Sequence, residues 1–302
     1  MNATPTVANV RAHVGSRSTC ATGYTHRQRF SPRSRAISDL DPLWEPVRAP
    51  QALAEPSGGR HQGRGIVISG GTAGIGLAAA RRFAGEGASV WIMGRQTDSV
   101  ARALGEVSAT GGAACDVTQE LDVEQAIAMA RDRLGSIDGV FVSASVPGEG
   151  REVLSMSVEE FRRVLDVNLT GAFMVARAAA RVMPIGGSIV FNASVHGLVA
   201  EPGRADFAAS KAGVILLAKS MALDLAPRGI TVTAICPGDV RTRSVEQRPG
   251  DPLVSAEHLA RIPVGQIAEP DEIAGIVSFL CSPEAAYLTG AAIPVDGGRI
   301  GR

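Results

Sequence analysis

The 302-residue chain is 45% hydrophobic and 20% charged, with thirty basic residues against thirty acidic ones. That leaves ample apolar material for a core and no bulk field favouring nucleic acid or an anionic membrane. No apolar run approaches the roughly 20 residues needed to span a bilayer, no secretory segment opens the chain, and Cys20, Cys115, Cys236 and Cys281 form no C-x-x-C pair.

Those scattered cysteines argue against a zinc site or a disulfide framework and for reduced thiols in a cytoplasmic protein. In chain order, residues 1–38 carry arginines such as Arg11 and Arg27 without any acid, and Pro42, Pro46, Pro50 and Pro56 follow. No helical or strand period is sustained there, so 1–62 reads as a disordered extension. Its acid-poor, Arg/Ser-rich start suits an organelle transit peptide, but a flexible tail or an over-extended start site is favoured. The domain then occupies 63–302.

From Gly65 the pattern is regular. "GIVISG" predicts the first strand and "IGLAAARRFAGEG" the first helix; "ASVWIMG" is a second strand and "AACDV" a third, after the helical "SVARALGEV". "GVFVSAS", "GSIVFNAS", "GITVTAICPG" and "AAIPVDGG" complete seven strands, with helices expected over 119–134, 157–183, 206–226 and 270–281. Apolar strands alternating with helices predict one α/β domain, a Rossmann-type doubly wound parallel sheet covered on both faces.

"SGGTAGIG", Ser69 to Gly76, lies between the first strand and the first helix. Gly70, Gly74 and Gly76 allow a tight turn and close approach of backbone to a pyrophosphate, with Ile75 opening the helix whose N–H groups face the anion. The second strand ends in "WIMGRQ", with Gly94 where an acid would bond the adenosine ribose of NAD and Arg95 next to it. An arginine fork suits a 2′-phosphate, so NADP(H) is favoured over NAD. Asp116 and Val117 in "CDVT" are placed to contact adenine, although Asp116 equally suits a cap for the next helix.

"SGGTAGIG", "DVNLTGAF", "GSIVFNASVHG", "ASKAG", "CPGDVRT" and "IPVDGG", in this order over 64–300, resemble the short-chain dehydrogenase/reductase family. The resemblance implies NAD(P)(H) binding, a small-molecule substrate and a homodimer or homotetramer, with no metal. It implies that Asn168 holds a water in the proton relay and Ser194 bonds the substrate oxygen. Lys211 would hold the nicotinamide ribose, and Gly238, Val240 and Thr242 in "PGDVRT" would face the cofactor. Locally, "HGLVAEPGRADFAASKAG" is similar to 3-hydroxybutyrate dehydrogenases, which implies that His196 and Arg204 bind a substrate carboxylate. Pro147 and Glu246 stand where that subfamily has glutamines.

Two departures stand out. Phe207 takes the place where the family carries its acid/base tyrosine, four residues before Lys211, and "VSAS", Val142 to Ser145, replaces "NNAG". Tyr24 and Tyr287 are too remote to substitute, which leaves His196 as a proton carrier, with Asp206 beside Phe207 projecting another way. The first reading is therefore an atypical NADP(H)-dependent oxidoreductase of a small or medium carbonyl or alcohol, with an anionic substrate suggested by Arg204. The alternatives are another reaction class on the same scaffold, such as dehydration, isomerisation or cyclisation, and an inactive NADP-binding subunit.

Overall fold

The structure, a computed structural model, describes residues 59–242 and 259–301. Seven strands alternate with seven principal helices among these residues: β1 (Gly65–Ser69), α1 (Gly74–Gly85), β2 (Ser89–Gly94), α2 (Thr97–Glu106), β3 (Gly111–Ala114), α3 (Glu120–Leu134) and β4 (Gly139–Val142) form the first half. Then come α4 (Val158–Leu165), α5 (Gly171–Val182), β5 (Ser188–Asn192), α6 (Ala205–Leu225), β6 (Thr231–Pro237), α7 (Pro270–Leu280) and β7 (Ala292–Val295). All pairings are parallel, in the order β3-β2-β1-β4-β5-β6-β7.

Consecutive strand residues point to opposite faces, so each central strand serves two cores. Ile66 and Ile68 of β1 pack with Phe83 of α1 and Ile273 of α7, whereas Val67 between them packs with Ile127 of α3 and Val175 of α5. Burial on both faces explains why these strands read as unbroken apolar runs. The order reverses between β1 and β4, and at such a switch point the strand ends leave a crevice for a ligand.

Two elements differ from expectation. β3 covers Gly111–Ala114 rather than 113–117. A side chain at Gly111 would lie 2.7 Å from the Trp91 ring and one at Gly112 2.6 Å from the Ile92 carbonyl oxygen, so glycine is what lets this strand pair with β2. The helix expected over 157–183 is interrupted by a π-helical turn, Asp166–Thr170, between α4 and α5. Inside it Asn168 reaches back to the loop after β4, and such turns recur at functional sites.

Residues 1–58 of the expected extension lie outside the described residues. Residues 59–62, assigned to it by composition, instead form a turn against the domain. His61 is fully buried there; its Nε2 lies 3.1 Å from the Ser278 carbonyl oxygen and 3.6 Å from the Glu86 carboxylate. Burial, with the Arg64 charge second, pushes its pKa down to about 4.

The folded state thus favours neutral imidazole. Its contribution to stability is complete above the unfolded pKa near 6.5 and is lost as pH falls toward 4, by up to about 3 kcal/mol. We expect His61→Gln to flatten the fall in stability between pH 7 and 4.5, measured by chemical denaturation. An unchanged slope would exclude His61 as its source.

Candidate active site

The turn Ser69–Gly76 occupies the switch point. Gly70 has a φ of 69°, and a side chain there would lie 2.7 Å from the Ala144 backbone; one at Gly76 would lie 2.2 Å from the Gly70 carbonyl oxygen. Backbones therefore meet with no room for side chains, and Gly70, Gly74, Ile75 and Gly76 border a cleft of about 1150 Å3. Amide groups at the start of a helix offer an anion oriented N–H donors and the positive end of the helix dipole.

Ser69 lies behind this wall. It is fully buried, and its Oγ accepts the Ser143 and Ala144 N–H groups at 3.2 and 3.5 Å, tying β1 to the loop after β4. The "VSAS" loop is fixed from the other side as well, because Asn192 Nδ2 donates to Ser143 Oγ at 3.0 Å. Asn168 is also buried. Its amide oxygen accepts the Val146 N–H at 2.8 Å, and its Nδ2 donates to the Val146 carbonyl at 2.9 Å and to Ser210 Oγ at 3.1 Å. Ser69 and Asn168 hold the cleft's shape without lining it.

Along one arm of the cleft lie Arg95, Asp116 and Val117. Asp116 caps its own turn: Oδ1 accepts the Thr118 N–H at 3.0 Å and the Thr118 hydroxyl at 2.8 Å, and these bonds hold its carboxyl below the usual range. At Gly94 a Cβ would lie 2.4 Å from Thr72 Cγ2, so any side chain there requires that methyl to move. Gly238, Val240 and Thr242 also line the cleft, Thr242 lying 3.2 Å from where a Cβ at Gly74 would be.

At the other end Ser194, His196, Arg204, Phe207 and Lys211 converge. Ser194 caps the short helical turn Val195–Gly197, its Oγ accepting the His196 backbone N–H at 3.2 Å. Gly197 seats that turn on α6, where a Cβ would lie 2.7 Å from the Lys211 backbone. Lys211 is buried; Nζ donates to the Asn192 carbonyl at 2.7 Å and lies 5.4 Å from the centre of the Phe207 ring. Burial pushes its pKa down to about 8. Arg204 donates to the Pro147 carbonyl at 3.4 Å. Glu246 lies outside the described residues.

His196 packs edge-on against Phe207 at 6.0 Å. Its Nδ1 is sealed from solvent and has no hydrogen-bond partner, while Nε2 lies 3.4 Å from Glu201 Oε2. Burial lowers its pKa; Glu201 opposes that shift, and Arg299 and Arg204 reinforce it. Asp206, the other sequence candidate for a proton carrier, is fully buried with Oδ1 bonded to the Phe207 N–H, and it does not line the cleft. The sequence reading missed Glu201, Asp239 and Arg299, all of which line this end.

The family model described as enoyl-(acyl carrier protein) reductase matches residues 70–299. The chain is 38% identical over 244 residues to 2-(S)-hydroxypropyl-CoM dehydrogenase 3 of Xanthobacter autotrophicus, covering 77% of this chain and 95% of that one. An uncharacterized short-chain type dehydrogenase/reductase, y4vI of Sinorhizobium fredii, is 41% identical over 241 residues, 78% of this chain and 43% of that longer protein.

The chain belongs to the short-chain dehydrogenase/reductase family.

The crystal structure of levodione reductase superposes with a TM-score of 0.75 at 30% identity, over 79% of this chain and 98% of that one. The relatives are dehydrogenases or reductases by name, and the family resemblance of the sequence implies an NAD(P) dinucleotide. The cleft fits such a dinucleotide: a glycine turn closed to side chains at one point, a helix start beside it, and a buried ammonium further along. Among the described residues no group of three or more His, Cys, Asp or Glu is arranged to hold a metal, and no helix is long and apolar enough to cross a membrane.

Proposed function

We propose that this chain is an atypical NADP(H)-dependent oxidoreductase of a small or medium carbonyl or alcohol, working without the family's acid/base tyrosine. The observation that carries the reading is the convergence of Ser194, Lys211 and Phe207 in the cleft that also holds the glycine turn. Preference for NADP(H) is supported by Gly94, which leaves the end of β2 without a ribose-binding acid, and by Arg95 beside it. The hydride for the carbonyl carbon would come from NADPH when bound.

The chain's own residues handle the oxygen. Ser194, whose Oγ accepts from the His196 backbone, keeps its hydroxyl proton for that oxygen. The proton finally taken up comes from Lys211, whose ammonium has one hydrogen bond, to Asn192, and a pKa near 8. The sequence left His196 or water as the proton source, but the geometry of His196 is unsuited to that task. A second ring proton would sit on sealed Nδ1 with no acceptor, so the imidazole stays neutral and donates only through Nε2. Arg204 at the same end is the group for an anionic substituent.

The test is NADPH oxidation with acetoacetate and with ethyl acetoacetate, which separates anionic from neutral substrates. NADPH binding without oxidation of any carbonyl would instead favour the cofactor-bound subunit, the reading for which Phe207 speaks. Arg95→Ala is expected to weaken NADPH binding about 10–100-fold through loss of a charged hydrogen-bond partner and to leave NADH binding unchanged. Equal losses for both nucleotides in a calorimetric titration would reject the phosphate role.

A further inference from the structure

Four side chains from three separate loops form one continuous polar chain at the substrate end. Arg299 follows β7, where Asp296 accepts the Gly298 and Ile300 N–H groups at 3.0 and 2.8 Å and bends the backbone into a turn. From that turn Arg299 donates Nη1 to Asp239 Oδ2 at 2.7 Å, beyond β6, and Nη2 to Glu201 Oε1 at 3.2 Å, beyond β5. The second oxygen of Glu201 meets His196 Nε2 at 3.4 Å, and the His196 backbone N–H bonds Ser194 Oγ at 3.2 Å.

We infer that Arg299 is a positioning residue for Ser194, acting through Glu201 and His196. This rests on the reading of Ser194 as the oxygen-holding residue. The guanidinium fork uses separate nitrogens for two carboxylates on two loops, which a point charge does not do. Arg299 and Asp239 are largely buried, with 15% and 13% of their side-chain surfaces exposed, so the pair is shielded from the screening that weakens surface ion pairs. Glu201 in turn bonds Arg299 through one oxygen and faces the imidazole Nε2 at 3.4 Å with the other.

The sealed, partnerless Nδ1 fixes the rest. With no acceptor there, the ring carries its proton on Nε2, the nitrogen that faces Glu201 Oε2 at 3.4 Å, which favours one tautomer and one ring orientation. The groups facing the ring are Glu201, Arg204, Asp239, Arg299 and, from α6, Phe207. A ring held this way holds its own backbone, and that backbone caps Ser194. Loss of the clamp would release the three-residue turn Val195–Gly197 at the point where the Ser194 hydroxyl must meet substrate.

The test uses the full chain and three variants, Arg299→Ala, Arg299→Lys and Glu201→Gln. The first readout is the imidazole proton–nitrogen NMR spectrum, with the His196 signal assigned from His196→Asn. The second is kcat and KM for ethyl acetoacetate with NADPH. Arg299→Ala and Glu201→Gln are expected to shift the His196 signal and to lower kcat about 10-fold through misplacement of Ser194, with NADPH affinity retained. Arg299→Lys should recover part of kcat.

A His196 signal unchanged in both Arg299→Ala and Glu201→Gln would overturn the inference, whichever variant is the better folded. So would a shifted signal with kcat preserved. If wild-type protein oxidises no NADPH, the proposed function fails on its own, and the NMR arm still decides whether Arg299 holds His196.

Discussion

Replacing Lys211 by Met is expected to slow NADPH-dependent carbonyl reduction by about 10²–10⁴-fold, the usual consequence of removing a positioned acid. The side chains are similar in length, but Met lacks both the charge and the proton. Lys211 is buried and donates to the Asn192 carbonyl, and removing a buried charge relieves a desolvation cost. Stability should therefore hold while activity falls, so parallel measurement of thermal unfolding separates chemistry from folding.

The wild-type pH profile gives an independent check. Burial lowers the Lys211 pKa to about 8, and reduction needs the ammonium form. The rate should be flat below that pH and fall as pH rises through it, whereas alcohol oxidation should rise over the same range. A Lys211→Met variant with more than about a tenth of wild-type activity would remove Lys211 as the acid.

Phe207→Tyr is expected to act in the opposite direction, raising reduction about 10²-fold. The Phe207 ring lines the cleft, with the Lys211 ammonium 5.4 Å from its centre and the His196 ring 6.0 Å away. A phenol hydroxyl there would lie beside a buried positive charge, which lowers the ordinary tyrosine pKa of about 10 toward the working range. Single-turnover kinetics with ethyl acetoacetate measures the gain. An unchanged rate would mean that the ring edge does not reach the reacting oxygen.

The sheet was legible because each central strand is buried on both faces and therefore reads as an apolar run. The glycine turn was legible because backbone contact at Gly70 and Gly76 excludes any other residue. β3 was misplaced because its defining residues, Gly111 and Gly112, carry no apolar signal; what selects them is Trp91 and Ile92 on the neighbouring strand. The π-helical turn was hidden for a related reason. It coincides with Asn168 bridging Val146 and Ser210, 22 and 42 residues away.

The substrate end was legible only in part. Ser194, His196 and Lys211 lie in short motifs, but Arg299 meets Glu201 across 98 positions and Asp239 across 60. No local pattern marks such a meeting, which depends on three strands ending side by side. His61 shows the same limit at the domain edge, because its partner Ser278 lies 217 positions away.

Calorimetric titration of the full chain with NADPH and then NADH decides whether this cleft binds NADP(H). A one-site micromolar isotherm is expected for NADPH, with NADH bound at least about tenfold more weakly, the share of one charged phosphate contact. Failure of either nucleotide to bind would contradict that expectation, and with it the roles of Arg95 in holding phosphate and of Ser194 and Lys211 in catalysis.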